Sequence, residues 1–313
     1  MLIHLLLFGL GVGGLLAGAW LLVRGGSRLA ALLGVPPVLI GLTVVAWGTS
    51  APELVVSLAA ALRGNAAIML GNVIGSNQAN AGLILGLAAL LMRPGVDRRI
   101  VRFDLPVLLG ATLLFTLFVK NQVLGRVEGL VLLAGFAGVT AATVRAARRG
   151  EVVVDVDVED GGPGVPLCIV MVLAGCALLA EGGHLIVGSA EWIARAVGVP
   201  DVVIGLSLVA VGTSLPELAA TLVAAWHRES GIAVGNVVGS NLFNLLAVGG
   251  LVPVVRPVRA AAGVMGREIP ALLVITLLTA LLVNRRTVFP RRAGVILLAV
   301  YAILLTWQMR LWP

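Results

Sequence analysis

The sequence predicts an all-α polytopic membrane protein. It reads as ten transmembrane helices in two inverted five-helix repeats, with broken helices 2, 3, 7 and 8 around a polar site at the midplane. Three observations carry this. The 313 residues are 59% hydrophobic and only 12% charged, with mean hydropathy +1.09, which excludes a soluble globular domain of this size. Ten apolar segments are long enough to span. The chain also matches itself when shifted by 164 residues.

A spanning helix needs about 20 apolar residues. The segments that qualify are 2–23, 35–62, 66–91, 104–119, 125–144, 165–187, 199–226, 231–252, 268–284 and 293–309. The first lacks a basic leader and is long enough to span, so no cleaved signal peptide is expected. The fourth is the shortest. Between the fifth and sixth lies the one long polar connection, Arg145 to Gly164, with Arg148, Arg149, Asp155, Asp157, Glu159 and Asp160. Its acidic run lacks the spacing of an EF-hand loop and reads as a solvated linker. The expected units are therefore 1–144 as first repeat, 145–164 as cytoplasmic linker and 165–313 as second, inverted repeat.

The net charge of +7 is no nucleic-acid signal, because the arginines sit at the ends of apolar segments. Lysines and arginines divide 14 to 8 between the two sides. The positive-inside rule then predicts both termini outside and the long loop in the cytoplasm of a cell-membrane protein. Cys168 and Cys176 lie eight residues apart on one predicted helix, too far apart for a disulfide. They read as small packing residues.

With the 164-residue shift, residues 41–86 fall on 205–250 without a gap, and about half the positions are identical. Gly48-Thr49-Ser50-Ala51-Pro52-Glu53 returns as Gly212-Thr213-Ser214-Leu215-Pro216-Glu217. Gly71-Asn72 falls on Gly235-Asn236, Gly75-Ser76-Asn77 on Gly239-Ser240-Asn241, and Asn80 on Asn244. Each repeat holds five helices, an odd number, so the second copy enters the membrane from the opposite face. That arrangement belongs to many secondary transporters, whose sites lie at the repeat interface.

Proline removes a donor and its ring clashes with the preceding turn. Pro52 and Pro216 are thus expected to break their helices over Gly48 and Gly212, freeing carbonyls that protein or an ion must satisfy. Glu53 lies ten residues before Arg63, and Glu217 eleven before Arg228. At about 1.5 Å per residue each is roughly 15 Å from a helix end, near the middle of a ~30 Å core. The other acids among the fifteen fall in loops or near helix ends, including Asp97, Asp104, Glu128, Glu191, Asp201, Glu229 and Glu268. Glu181 reads as a solvated carboxylate near the outer end of helix six. Two deep carboxylates with no deep Arg or Lys need a cation.

The second half of the motif is expected to break helices 3 and 8. Ser76 and Asn80 share a helix face, as do Ser240 and Asn244, and offer neutral oxygens to the same cavity. Asn72, Asn236, Asn77 and Asn241 read as satisfying backbone at the breaks. Carboxylate, hydroxyl and carbonyl oxygens are the ligands hard cations prefer.

These blocks resemble the α-repeats of the cation/calcium antiporter superfamily, and within it the prokaryotic sodium/calcium exchangers. The resemblance covers the whole ten-helix layout. It implies a secondary antiporter exchanging Ca2+ for Na+ by alternating access, with no cofactor, no enzyme activity and no obligate protein or nucleic-acid partner beyond cations and the bilayer. It implies Glu53 and Glu217 as ion ligands, with Thr49, Thr213, Ser76, Ser240 and the carbonyls of Ala46 and Ala210. It places Asn80 and Asn244 at the centre. Ser50 and Ser214 join the candidate set as hydroxyls of the same breaks. Neutral Asn80 and Asn244 leave a site charge of −2, which argues against potassium co-transport. The Gly-Thr-Ser-x-Pro-Glu motif favours sodium over protons, and an H+/Ca2+ (or other divalent) antiporter using the same site is the alternative. A channel fits the occluded half-sites poorly. An intramembrane enzyme lacks support, since His4, His184 and His227 lie near helix ends.

Overall fold

The computed structural model describes residues 2–148, 162–196, 212–260, 262–283 and 288–310. The helices are α1 (Leu2–Leu33), α2 (Pro37–Thr49), α3 (Ala51–Leu62), α4 (Ala66–Leu91), α5 (Ile100–Lys120), α6 (Arg126–Arg148), α7 (Val165–Ala196), α8 (Leu215–Trp226), α9 (Ser230–Val255), α10 (Val264–Val283) and α11 (Arg291–Arg310). Among the described residues, eight helices are long and apolar enough to cross a membrane, and α2 with α3 forms one further span bent by 42°. Of the seventh predicted segment only the second limb, α8, is described. Residues 199–211 of that segment, Asp201 and Ala210 among them, lie outside the described residues, as does the acidic run 151–160.

The first and sixth segments run longer than predicted. Arg24 does not end α1, because Leu and Ala continue the helix and no proline intervenes before Pro36. Arg24 packs over the Trp20 ring at 5.6 Å, and α1 stops only before Gly34, which takes a left-handed φ of 63°. Likewise α7 continues to Ala196. Glu181 is therefore a mid-helix residue rather than one near the outer end, though it is exposed as expected.

Symmetry is visible in which residues touch. Helices α1 and α7 pack where glycines remove the side chains between them. A Cβ on Gly18 would lie 2.8 Å from the Gly175 carbonyl, and one on Gly11 would lie 2.8 Å from that of Gly182. By the 164-residue shift Gly11 is equivalent to Gly175, and Gly18 to Gly182. Equivalent helices thus cross head-to-tail about a pseudo-two-fold axis. The same axis passes between α4 and α9, where Asn241 Nδ2 donates to the carbonyl of its own equivalent, Asn77, at 3.3 Å.

These two helices form the centre. Their spans are 78% and 83% buried, against 17% for α6 and α11. Neither is broken, contrary to expectation. Each instead widens into a π-helical turn, at Asn80–Ile84 in α4 and Phe243–Val248 in α9. Proline is absent from both motifs at that point, so the backbone keeps its ladder and accommodates the polar residues by one extra residue per turn. A two-residue antiparallel ladder, β1 (Val123–Leu124) with β2 (Val258–Arg259), ties the α5–α6 turn to the end of α9.

Candidate cation site

The site is built at two helix breaks of matching conformation. Ser50 has φ −88° and ψ 4°, and its repeat equivalent Ser214 has φ −89° and ψ 3°. Pro52 and Pro216 then stand in the first turns of α3 and α8, where a missing N–H is harmless. The prolines thus start the second limb rather than merely ending the first. Glu53 and Glu217 also fall in those first turns, so each carboxylate faces the positive end of a helix dipole.

The expectation of bare carbonyls above the break needs correction at Ala46. Its carbonyl accepts the Ser50 N–H at 3.0 Å and the Ser240 hydroxyl at 3.4 Å, and Thr49 Oγ1 lies 3.3 Å away. The carbonyl whose donor proline removes is that of Gly48, four residues before Pro52. Gly48 itself must lack a side chain, because Cys176 Sγ fills the space its Cβ would need. This gives Cys176 the packing role expected of it.

Both glutamates are fully buried and close enough to repel one another. Among the described residues neither has an ion-pair partner. Glu217 Oε1 accepts a 2.7 Å hydrogen bond from Ser50 Oγ across the repeat interface. Glu217 Oε2 and both oxygens of Glu53 accept none. Ser76, which faces Glu53, Ser214, and the whole carboxamides of Asn80 and Asn244 are equally without hydrogen-bond partners while buried.

Around this unsatisfied centre, two asparagines close the breaks in the same way. Asn72 Nδ2 donates to the Glu53 carbonyl at 3.0 Å and to Ser57 Oγ at 2.9 Å. Asn236 Nδ2 donates to the Glu217 carbonyl at 3.4 Å and to Thr221 Oγ1 at 3.0 Å. Their oxygens then hold the threonine of the opposite repeat. Thr213 Oγ1 donates to Asn72 Oδ1 and Thr49 Oγ1 to Asn236 Oδ1, both at 3.2 Å. Asn77 Nδ2 donates to the Val73 carbonyl at 2.6 Å. All four of these asparagines therefore donate to backbone, as their positions suggested.

What lets the repeats interlock is the Gly235–Gly239 face of α9. A Cβ on Gly239 would lie 2.6 Å from the Leu42 carbonyl and 2.7 Å from Ala46 Cβ, and one on Gly235 would lie 2.8 Å from the Val38 carbonyl. With hydrogen there, α2 and α9 approach closely enough for Asn236 and Ser240 to reach Thr49.

Of the predicted residues, the structure links Thr49 to Ser240, Ser50 to Glu217 and Thr213 to Asn72, and it buries Glu53, Ser76, Asn80, Ser214 and Asn244 without hydrogen-bond partners for their side chains. Sequence reasoning passed over Ser57 and Thr221, which anchor the two bridging amides. They are 164 apart, so the repeat alone could have found them. It also placed Asp104 among loop and helix-end acids. Asp104 is 1% exposed, inside α5, and 3.3 Å from Arg99 Nε. Among the described residues no cluster of three or more His, Cys, Asp or Glu exists. Two carboxylates with hydroxyls and amides are an oxygen-only set, suited to hard cations rather than zinc or copper.

The sodium/calcium exchanger protein family model matches residues 3–145 and 167–310. The chain belongs to the sodium/calcium exchanger family. It is a multi-pass membrane protein of an ion-antiporter family. It is 32% identical to the sodium/calcium exchanger MaX1 of Methanosarcina acetivorans, over 97% of each chain. It is 38% identical to the putative antiporter CaxA of Alkalimonas amylolytica, over 82% of each. Its structure resembles that of the sodium-calcium exchanger NCX_Mj soaked with Na+ and Ca2+, with TM-score 0.85, 30% identity and 98% of both chains covered.

Proposed function

We propose that the protein exchanges Ca2+ for Na+ across the cell membrane by alternating access, with both ions competing for Glu53 and Glu217. The observation that carries this is the orphaned oxygen set: Glu53 Oε1 and Oε2 and Glu217 Oε2, fully buried, without hydrogen bonds and, among the described residues, with no cationic side chain to neutralise them. Buried carboxylates left bare cost several kcal/mol each. A bound cation removes that cost, and the oxygens of Ser76, Ser214, Asn80 and Asn244 complete its shell. Thr49, Thr213, Ser240, Ser50 and the carbonyls of Ala46 and Ala210 are the supporting ligands. Thr49 and Ser240 must turn from the Ala46 carbonyl before it can bind an ion.

Two carboxylates give a charge of −2, which matches one Ca2+. The names of the relatives support sodium as counter-ion, as does the Gly-Thr-Ser-x-Pro-Glu motif at both breaks. Residues 1–144 and 165–313 act as the two inverted halves, joined by the linker 145–164 in the cytoplasm, with both termini outside. An empty site crosses reluctantly, because two charges would then face apolar walls, and this enforces exchange.

The test is radiolabelled calcium uptake into proteoliposomes loaded with sodium, with potassium, or with acidic buffer at fixed sodium. Uptake driven by the outward sodium gradient alone, and lost in Glu53→Gln and Glu217→Gln, is the expected result. Uptake driven by the proton gradient instead would retain the site and move the protein to proton-coupled exchange.

A further inference from the structure

Away from the cation site, α7 carries a polar pair on its outward face. Glu181 and His184 are both exposed, and among the described residues neither makes a hydrogen bond or an ion pair. Their depth follows from the repeat axis. Gly11 meets Gly182 and Gly18 meets Gly175, so the pseudo-two-fold axis crosses α7 between Leu178 and Leu179. In inverted repeats that axis lies in the membrane plane. Along the helix, Glu181 is then about 4 Å and His184 about 8 Å from the midplane, well inside a half-core of ~15 Å. Neighbours on this face are apolar: Val170 is 58% and Leu173 is 64% exposed. The face therefore looks onto lipid. A carboxylate there is costly, and membrane-buried groups of this kind pair with one another.

The first repeat has no such pair. The 164-residue shift puts Ala17 and Trp20 at these positions of α1, also exposed and both at ease in lipid. One step farther along α7, Gly188 is exposed, and a Cβ there would meet nothing within 4 Å. Packing inside the chain therefore does not require that glycine. Ala177, Glu181, His184 and Gly188 follow at spacings of four, three and four residues, which is the contact stripe of a left-handed helix pair.

We propose that this stripe of α7 is the docking face for a second copy of this chain. A two-fold axis along the membrane normal makes the interface isologous and sets two α7 helices parallel at equal depth. The His184 imidazole N–H of each copy then donates to the Glu181 carboxylate of the other, so the face is complementary to itself. Ala177 and Gly188, on either side of the pair, let the backbones approach. Acyl chains offer neither donor nor acceptor at this depth. The cation site lies within one copy, so this proposal does not depend on which ions the protein exchanges.

The experiment measures energy transfer between donor- and acceptor-labelled full chains reconstituted together in liposomes, as lipid is added to dilute the protein. Transfer above random proximity, lost on dilution, is expected. Glu181→Leu/His184→Leu removes two symmetry-related hydrogen bonds and should weaken association roughly 10- to 100-fold. Gly188→Leu has room in the single chain but fills the helix contact, and should weaken association about 10-fold or more. Ala17→Leu/Trp20→Leu on the equivalent face of α1 should leave association within about twofold. If the Glu181/His184 variant fails to insert, Gly188→Leu decides alone. Transfer no greater than random proximity at every dilution would overturn the proposal. Association unchanged in Gly188→Leu, or weakened equally by the α1 variant, would overturn α7 as the docking face.

Discussion

Replacing Glu53 by glutamine separates a cation-binding carboxylate from a structural one. The side chain is fully buried and neither oxygen is hydrogen-bonded, so Glu53→Gln removes no hydrogen bond from that group. At an effective dielectric of about 20, a unit charge about 4 Å from a carboxylate interacts by about 4 kcal/mol. A divalent ion loses about twice that, part of which is offset because the empty site no longer buries the charge. A net loss of about 4 kcal/mol corresponds to roughly a thousandfold weaker calcium binding. The assay is thermal unfolding in detergent, in chelator and then in calcium. Calcium at about 100 times Kd stabilises the native protein by about 2.7 kcal/mol. The same calcium should leave Glu53→Gln essentially unshifted. In chelator the variant should unfold no lower than the parent, since a buried unpaired charge has gone. A variant that unfolds lower in chelator yet keeps the calcium shift would refute the reasoning and make Glu53 structural.

Other outcomes follow from the same geometry. Ser50→Ala removes the one hydrogen bond that the Glu217 carboxylate accepts among the described residues and should weaken calcium binding by about 1.5–3 kcal/mol. Ser214→Ala removes a hydroxyl that makes no such bond and is free to face the ion, so it should weaken calcium binding without destabilising the calcium-free protein, both read from calcium thermal titrations. Gly239→Ala drives a methyl into the Leu42 carbonyl, so it should part α2 from α9 and abolish calcium uptake even where the protein still inserts. Protons and cations compete for the same carboxylate lone pairs. Calcium uptake should therefore fall from about pH 8 to about pH 5 at constant sodium, and more calcium should restore it. A flat profile would contradict competition at these glutamates.

The sequence alone determined the membrane class, the repeat and the two deep glutamates. Each is written in local chemistry: apolar runs of spanning length, a 164-residue self-match, and a carboxylate beside a proline far from any helix end. It also placed α4, whose ends are marked by the loop residues Arg63 and Arg93-Pro94. It misjudged α1 and α7, where arginine or a polar residue occurs without stopping the helix, because charge at a membrane boundary does not end backbone hydrogen bonding. Only the tertiary structure decided that helices 3 and 8 widen rather than break, since a π-helical turn has no proline or glycine signature of its own. It alone paired Ser50 with Glu217 and each threonine with the opposite asparagine, contacts between residues more than 140 positions apart. It alone showed Asp104 buried against Arg99, which looks like a helix-end acid until α2 and α6 cover it. Inversion of the repeats follows from counting helices. Which atoms meet across the axis depends on how closely two glycine-faced helices pack.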